Sequence, residues 1–206
     1  MTKNVYLQKK RRQMTDTNIK LEKNVILIDA SYVDKVAFDL TVNFERMLMR
    51  RIPKADLAHW LDCVALDGGI TPGDNQIQVI FIYNKDKNAL RHFTPSDFSE
   101  EINNKAFKDN IGEFTMSAYP IESNITDGSE FFLDTLTVIL DNANVENVMV
   151  LPDVETYGAE ARSVIRKSEG KKVTLFAMEP QAGSGFEQQI LGYSLMSALG
   201  IKGDEL

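Results

Sequence analysis

The chain has 206 residues, of which 43% are hydrophobic and 26% are charged, an ordinary globular composition that suits one domain with a full core. No segment approaches the roughly 18 consecutive apolar residues that a membrane helix needs, and the first residues contain no apolar signal core. A single cysteine, Cys63, excludes an internal disulfide and a cysteine-cluster zinc site. We therefore expect a cytoplasmic protein that does not interact with membranes.

The net charge of −7 is unevenly distributed. Residues 1–23 hold seven basic and two acidic residues, a net +5, which leaves −12 for residues 24–206. We expect residues 1–23 to form a basic, disordered arm and residues 24–206 to form a single domain. The arm can attract a polyanion by charge alone, whereas the acidic body disfavours non-specific binding of nucleic acid.

The apolar pattern predicts strands and helices that alternate along the chain. Short apolar runs predict five strands, at 24–28, 76–83, 114–121, 148–151 and 172–178. Helical spacing and end signals predict six helices, from the N-cap Asp34 to Arg51, from 57 to 67, from 94 to 110, from the N-cap Asp127 to 143, from 157 to 168 and from 186 to 199.

This alternation predicts the fold class. Strands separated by helices form parallel sheets with right-handed crossovers, and continuous apolar strands require helices on both faces of the sheet. We therefore expect an α/β fold, a three-layer sandwich with a five-stranded, mainly parallel sheet.

Two of the predicted strands lead into an aspartate. Asp29 follows the apolar residues 25–28, and Asp153 follows residues 148–151, with Glu155 two positions further on. The carboxyl ends of parallel strands lie at one edge of a sheet, so Asp29 and Asp153 are expected to meet there. Converging carboxylates bind Mg²⁺ or Mn²⁺, and such a cation activates water for attack on a phosphodiester. The alternative is that each aspartate only caps a helix.

Other site signatures are missing from the sequence. No strand leads into a phosphate-binding glycine loop, there is no nucleophile elbow, and His59 and His92 do not form a motif. Gly183-Ser184-Gly185 precedes a predicted helix and could hold an anion, which is the main support for a flavodoxin-like, ligand-binding alternative. The carboxylates therefore remain the main candidates.

In these features the chain resembles the NYN branch of PIN-like nucleases over about residues 24–178. The matching segments are the strand that ends on Asp29, the segment Ala118-Tyr119-Pro120, the Asp127-Gly128 pair before a helix that carries Asp134, the run Leu151-Pro152-Asp153-Val154-Glu155, and the turn Gly170-Lys171-Lys172-Val173. The chain departs from the family pattern in four places: Leu151-Pro152 replaces Ser-Gly, Glu155 replaces a second aspartate, Thr156 replaces a phenylalanine, and Tyr32 replaces an asparagine.

The resemblance implies a PIN-like, Rossmann-like topology and a metal-dependent ribonuclease that hydrolyses RNA with Mg²⁺ or Mn²⁺. It implies Asp29, Asp127, Asp134 and Asp153 as metal ligands, and Asp29, Asp153 and Glu155 as catalytic residues. The departures keep open a catalytically degenerate domain that serves binding or assembly. RNA, a second copy of the chain or a partner protein are the expected partners.

Overall fold

The computed structural model of the protein describes residues 21–122, 128–168 and 170–205. These residues form nine strands, β1 (Asn24–Asp29), β2 (Ala55–Asp56), β3 (Asn75–Asn84), β4 (Phe93–Thr94), β5 (Lys105–Lys108), β6 (Gly112–Ile121), β7 (Asn147–Leu151), β8 (Lys172–Ala177) and β9 (Glu187–Ile190). Seven of them build one sheet in the order β5-β6-β3-β1-β7-β8-β9. Every pair in this sheet is parallel except β5 with β6. The short strands β2 and β4 pair separately.

Helices cover both faces of the large sheet. They are α1 (Ala30–Leu48), α2 (Leu57–Asp67), α3 (Gly128–Asp141), α4 (Val154–Arg166) and α5 (Leu191–Ala198), with a π-helical turn at Phe98–Ile102 and a 3₁₀ turn at Gly203–Glu205. Successive residues of a strand face opposite sides. Accordingly, Ile26 and Ile28 pack in the core under α1, α2 and α5, whereas Val25 and Leu27 pack in the core under α3 and α4. The predicted α/β class with a mainly parallel sheet is confirmed.

The predicted number of strands is wrong. All five predicted strands are present as β1, β3, β6, β7 and β8, but the sheet has seven strands because β5 and β9 extend its two edges. An edge strand has one neighbour and can remain polar. Both edge strands are short and largely polar (Lys-Ala-Phe-Lys and Glu-Gln-Gln-Ile), so neither has the apolar run that marks a buried strand.

The predicted helix at 94–110 is also wrong. Asp97 does cap a helical turn, since its side chain accepts the backbone N–H groups of Ser99 and Glu100 at 2.8 and 2.9 Å. The turn ends at Ile102, however, and the chain then enters β5. The sequence at 94–97 therefore does mark the beginning of a helical segment, but that segment is a single turn.

Three other helices begin elsewhere than predicted, and one of them is α4, which begins at Val154 and not at residue 157 because Asp153 caps it. The N-cap of α1 is Asp29 and not Asp34, which lies in the second turn of that helix. The last helix begins at Leu191, because residues 187–190 pair with β8 as a strand. The predicted N-cap Asp127 lies outside the described residues. Among the described residues, no helix combines the length and the apolarity needed to cross a membrane.

The order of the strands reverses between β1 and β7. The chain adds β3 and β6 on one side of β1, and then adds β7, β8 and β9 on the other side. The register of the pair places Ile28 beside Leu151, so both strands end at the same level. Open α/β sheets bind ligands outside the carboxyl ends of their strands at such a switch point.

Candidate site at the carboxyl ends of β1 and β7

Asp29 is the last residue of β1 and the N-cap of α1. Its Oδ1 accepts the backbone N–H groups of Ser31 and Tyr32, both at 3.1 Å, and its Oδ2 accepts the hydroxyl of Tyr157 at 2.6 Å. Burial is the main cause that raises the pKa of Asp29, and the charge of Asp153 raises it further. The hydrogen bonds of Asp29 with Tyr157, Tyr32 and Ser31 act in the opposite direction. These hydrogen bonds therefore hold the Asp29 carboxylate in place, but they only partly offset the free-energy cost of burying its negative charge.

Asp153 repeats this arrangement after β7. It is the N-cap of α4, and its Oδ1 accepts the backbone N–H groups of Glu155 and Thr156, both at 3.1 Å. Its Oδ2 accepts the hydroxyl of Thr156 at 2.8 Å. Each of the two aspartates thus uses one oxygen to cap a helix and the other to accept a hydroxyl.

The two aspartates line one cavity of about 220 Å³. Asn84 at the end of β3, Ser129 at the start of α3 and Tyr157 of α4 line the same cavity. The strand ends therefore bring Asp29 and Asp153 together, at the edge of the sheet where they were expected. Their role as metal ligands stays a prediction.

Tyr32 adds a buried donor close to the acidic residues. Its side chain is 3% exposed, and its hydroxyl oxygen has no hydrogen-bond partner within the described ranges. Burial, followed by the charges of Glu155, Asp153 and Asp29, raises the pKa of Tyr32 to about 12. Tyr32 is not among the described residues that line the cavity, so the cost of its buried hydroxyl is not evidence for a ligand contact.

Glu155 is not among the described residues that line the cavity. Its Oε2 lies 2.6 Å from Nζ of Lys35 on α1, and the two side chains are 59% and 56% exposed. An exposed ion pair of this kind is screened by solvent and stabilises a fold only weakly. The structure therefore places Glu155 in an ion pair at the surface and separate from the two aspartates.

Of the two remaining predicted ligands, only Asp134 lies among the described residues. Asp134 is half-buried on α3 and is likewise not among the described residues that line the cavity. Asp127 lies outside the described residues, immediately before Gly128, which does line the cavity. Of the three predicted ligands that the structure describes, only Asp29 and Asp153 line the cavity.

The two carboxylates fit an open, hydrated cation site. Within the described residues, no group of three or more histidine, cysteine, aspartate or glutamate side chains is arranged to hold a metal ion. Mg²⁺ needs less than that, because it keeps several waters and takes one or two carboxylates together with substrate phosphates. A carboxylate oxygen that accepts one hydroxyl keeps a second acceptor position, so Oδ2 of Asp29 and Oδ2 of Asp153 can each take a further partner.

Sequence reasoning missed Tyr157 and Lys35. Tyr157 lies four residues after Asp153, in the first turn of α4, and reaches Asp29 across 128 positions of sequence. Lys35 reaches Glu155 across 120 positions. The sequence alone could have indicated Tyr157, because this tyrosine lies one helical turn after an aspartate at the end of a strand. Its hydrogen bond with Asp29 can be inferred only when the order of the strands is known.

The fold and the cavity define an α/β protein with a mostly parallel sheet and a crevice, lined by two carboxylates, at the point where the strand order reverses. The chain belongs to a family of unknown function, DUF6621, whose sequence model matches residues 18–206. The match covers the whole described fold, which begins with the buried side chain of Leu21. No curated protein and no solved structure matches the chain significantly.

Proposed function

We propose that this protein is a divergent nuclease of the PIN-like type that hydrolyses RNA phosphodiesters with Mg²⁺ or Mn²⁺ held by Asp29 and Asp153. The observation that carries the proposal is that both carboxylates line one cavity at the switch point of the sheet. The strand order supports a PIN-like topology, because β1 and β7, the first and fourth of the five central parallel strands, lie side by side. RNA as the substrate and a cytoplasmic location come from the resemblance and the composition.

The side chains around the cavity suit this chemistry. A divalent cation bound there supplies positive charge to the phosphodiester and lowers the pKa of an attacking water. The caps hold Asp29 and Asp153 in place before any ligand arrives, so little side-chain entropy is lost on binding.

The test uses asparagine, because its side-chain oxygen still caps a helix while the charge is removed. In the unaltered protein we expect MnCl₂ to raise the melting temperature and to support cleavage of a fluorescent single-stranded RNA. We expect Asp29→Asn and Asp153→Asn each to abolish both effects. A ligand at about a hundred times its dissociation constant stabilises a fold by about 2.7 kcal/mol, which thermal unfolding resolves easily.

Matched controls are provided by two other capping aspartates. Asp56 caps α2 through the backbone N–H of His59 at 3.1 Å, and Asp97 caps the π-helical turn. Neither is among the described residues that line the cavity. Asp56→Asn and Asp97→Asn are therefore expected to retain the manganese effect and the cleavage. A manganese effect that survives in Asp29→Asn and Asp153→Asn, or no effect in the unaltered protein, contradicts the proposal.

A second candidate function is a PIN-like domain that binds or assembles without cleaving. Three contacts favour it, since the hydroxyls of Tyr157 and Thr156 occupy Oδ2 of the two aspartates, and Lys35 neutralises Glu155. This alternative predicts no effect of manganese on unfolding and a stable association with a second copy or a partner protein. Sedimentation of the unaltered protein measures the self-association directly.

A further inference from the structure

A larger groove, of about 470 Å³, adjoins the acidic cavity. Phe38 of α1 lines one side of it, and Arg91 and His92, in the loop between β3 and β4, line another. Ser31 and Tyr83 line both the groove and the acidic cavity, so the two spaces are neighbours. The chemistry proposed for the aspartates does not use this groove.

The groove carries an exposed aromatic surface that is held in place. Phe38 is 46% exposed, and its ring contacts the ring of His92 with the centroids 5.2 Å apart. Asp34 accepts the backbone N–H of His92 at 2.9 Å and lies 3.2 Å from Nδ1 of its ring. Tyr83 and Phe98, which stack with centroids 4.1 Å apart, also line the groove. Flat aromatic faces that are fixed and accessible suit the stacking of a planar ring.

The groove is also lined by positive charge in a protein whose body is acidic. Lys35, Lys87 and Arg91 line it, and Asp34 is the one carboxylate among its described lining residues. Lys35 is paired with Glu155, but Lys87 and Arg91 form no ion pair within the part of the chain that the structure describes. Lysine and arginine side chains that are not already neutralised bind phosphate through charge-assisted hydrogen bonds.

We propose that this groove binds a nucleotide, whose base stacks on the exposed face of Phe38 and whose phosphate is bound by Lys87 and Arg91. A volume of about 470 Å³ lies in the range of roughly 300–1,000 Å³ of ordinary ligand pockets. The inference rests on the proposed nuclease function in one respect. If that function holds, the nucleotide is part of an RNA strand that continues into the acidic cavity. Binding in the groove itself needs no metal.

The test measures binding by the full-length protein in EDTA, where the nuclease proposal makes no contribution. The probes are uridine monophosphate, adenosine monophosphate and a short fluorescent single-stranded oligouridylate, measured by calorimetry and by fluorescence anisotropy. We expect Phe38→Ala and Arg91→Ala each to weaken binding about tenfold, because each removes a stacking face or a phosphate contact. Phe38 and Arg91 are both exposed, and unfolding curves will verify that the variants fold.

The matched controls lie outside the groove. Tyr193→Ala removes an aromatic ring that is 70% exposed on α5, and Arg46→Ala removes an exposed arginine of α1. All variants keep the same basic segment 1–23, so any difference in affinity reports the groove and not the arm.

Each outcome decides the proposal. Weakening by the two groove substitutions and not by the two controls supports it. Binding of the monophosphates then indicates a free nucleotide, and binding of the oligouridylate alone indicates a strand. No binding of any probe overturns the proposal, as does binding that Phe38→Ala and Arg91→Ala leave unchanged. If tripolyphosphate abolishes binding and Phe38→Ala does not affect it, the binding is due to charge attraction alone. That outcome also overturns the proposal.

Discussion

Replacing Asp62 by asparagine is expected to stabilise the protein in mildly alkaline solution and to change little in acid. Asp62 lies on α2, and one of its carboxylate oxygens is buried without a hydrogen-bond partner within the described residues. Burial, followed by a hydrogen bond with Asp109 and by the charges of Asp109 and Asp56, raises the pKa of Asp62 from 3.8 to about 7. Oδ1 of Asp109 already accepts the backbone N–H groups of Ile111 and Gly112 at 2.7 and 3.2 Å. We therefore infer that Asp62 carries the proton between the two carboxyl groups.

The direction of the pH dependence follows from the raised pKa. The folded protein keeps a proton on Asp62 that the unfolded chain releases near pH 3.8, so this contribution to stability is complete in acid and is lost as the pH rises through about 7. A shift of this size corresponds to an upper bound of about 4 kcal/mol in the free energy of unfolding. Because part of the side chain reaches solvent, we reduce the expected effect to about 1–2 kcal/mol. The asparagine amide keeps a donor for Asp109 and carries no charge.

The assay is urea unfolding of both proteins at about pH 3.5 and about pH 8, which lie outside the interval between the pKa of 3.8 in the unfolded chain and the pKa of about 7 in the folded protein. At the higher pH, Asp62→Asn is expected to be more stable by about 1–2 kcal/mol, or about 2–8 °C in the melting temperature of a chain of this length. At the lower pH the two proteins should differ much less. Asp86→Asn, in the exposed loop after β3, is the control and should shift neither value. Equal or lower stability of Asp62→Asn at the higher pH would refute the assigned proton.

Two further substitutions test local interactions by urea unfolding. Tyr157→Phe removes the hydroxyl that Asp29 accepts at 2.6 Å. Because a hydrogen bond to a charged group contributes about 1.5–3 kcal/mol, we expect the free energy of unfolding to fall by about that amount. Unchanged stability would show that this bond does not hold α4 to β1. Gly69→Ala is expected to cost about 1–2 kcal/mol, because Gly69 has φ +82°, a left-handed conformation that a Cβ disfavours, whereas the flexible end of Lys172 can move away from the added Cβ. Gly73→Ala, where the nearest atom lies 3.8 Å away, should cost less; an equal cost would exclude strain as the reason.

The five central strands were predictable because their apolar residues are buried, in continuous runs in β1, β3, β7 and β8 and at nearly alternate positions in β6. In β1, for example, residues 25–28 are four consecutive aliphatic residues, and all four are fully buried. The two edge strands were not predictable, since pairing on one side leaves their side chains polar and exposed. The helix predicted at 94–110 failed for a different reason. A cap such as Asp97 reports where a helical turn begins, but tertiary packing decides how far it continues.

The site was predictable only in part. Asp29 and Asp153 could be paired because each follows an apolar strand and parallel strands end at one edge. The separation of Glu155 from that pair could not be predicted, because it depends on Lys35 of a distant helix. The groove was not predicted either. Phe38, Arg91 and His92 lie on two segments that have no shared sequence pattern, and only the fold brings them together.

Capping and ligand binding are not exclusive roles for the two aspartates. Each uses Oδ1 for the backbone of its own helix, so the helix starts are satisfied whatever occupies the cavity. A ligand could therefore replace only the partner of Oδ2. That partner is the hydroxyl of Tyr157 for Asp29 and the hydroxyl of Thr156 for Asp153. Burial and the charge of Asp153 raise the pKa of Asp29, so two neutral hydroxyls leave the negative charge at this edge incompletely compensated. The cation that we propose would reduce that cost, and it would displace the hydroxyl of Tyr157 or share Oδ2 of Asp29 with it.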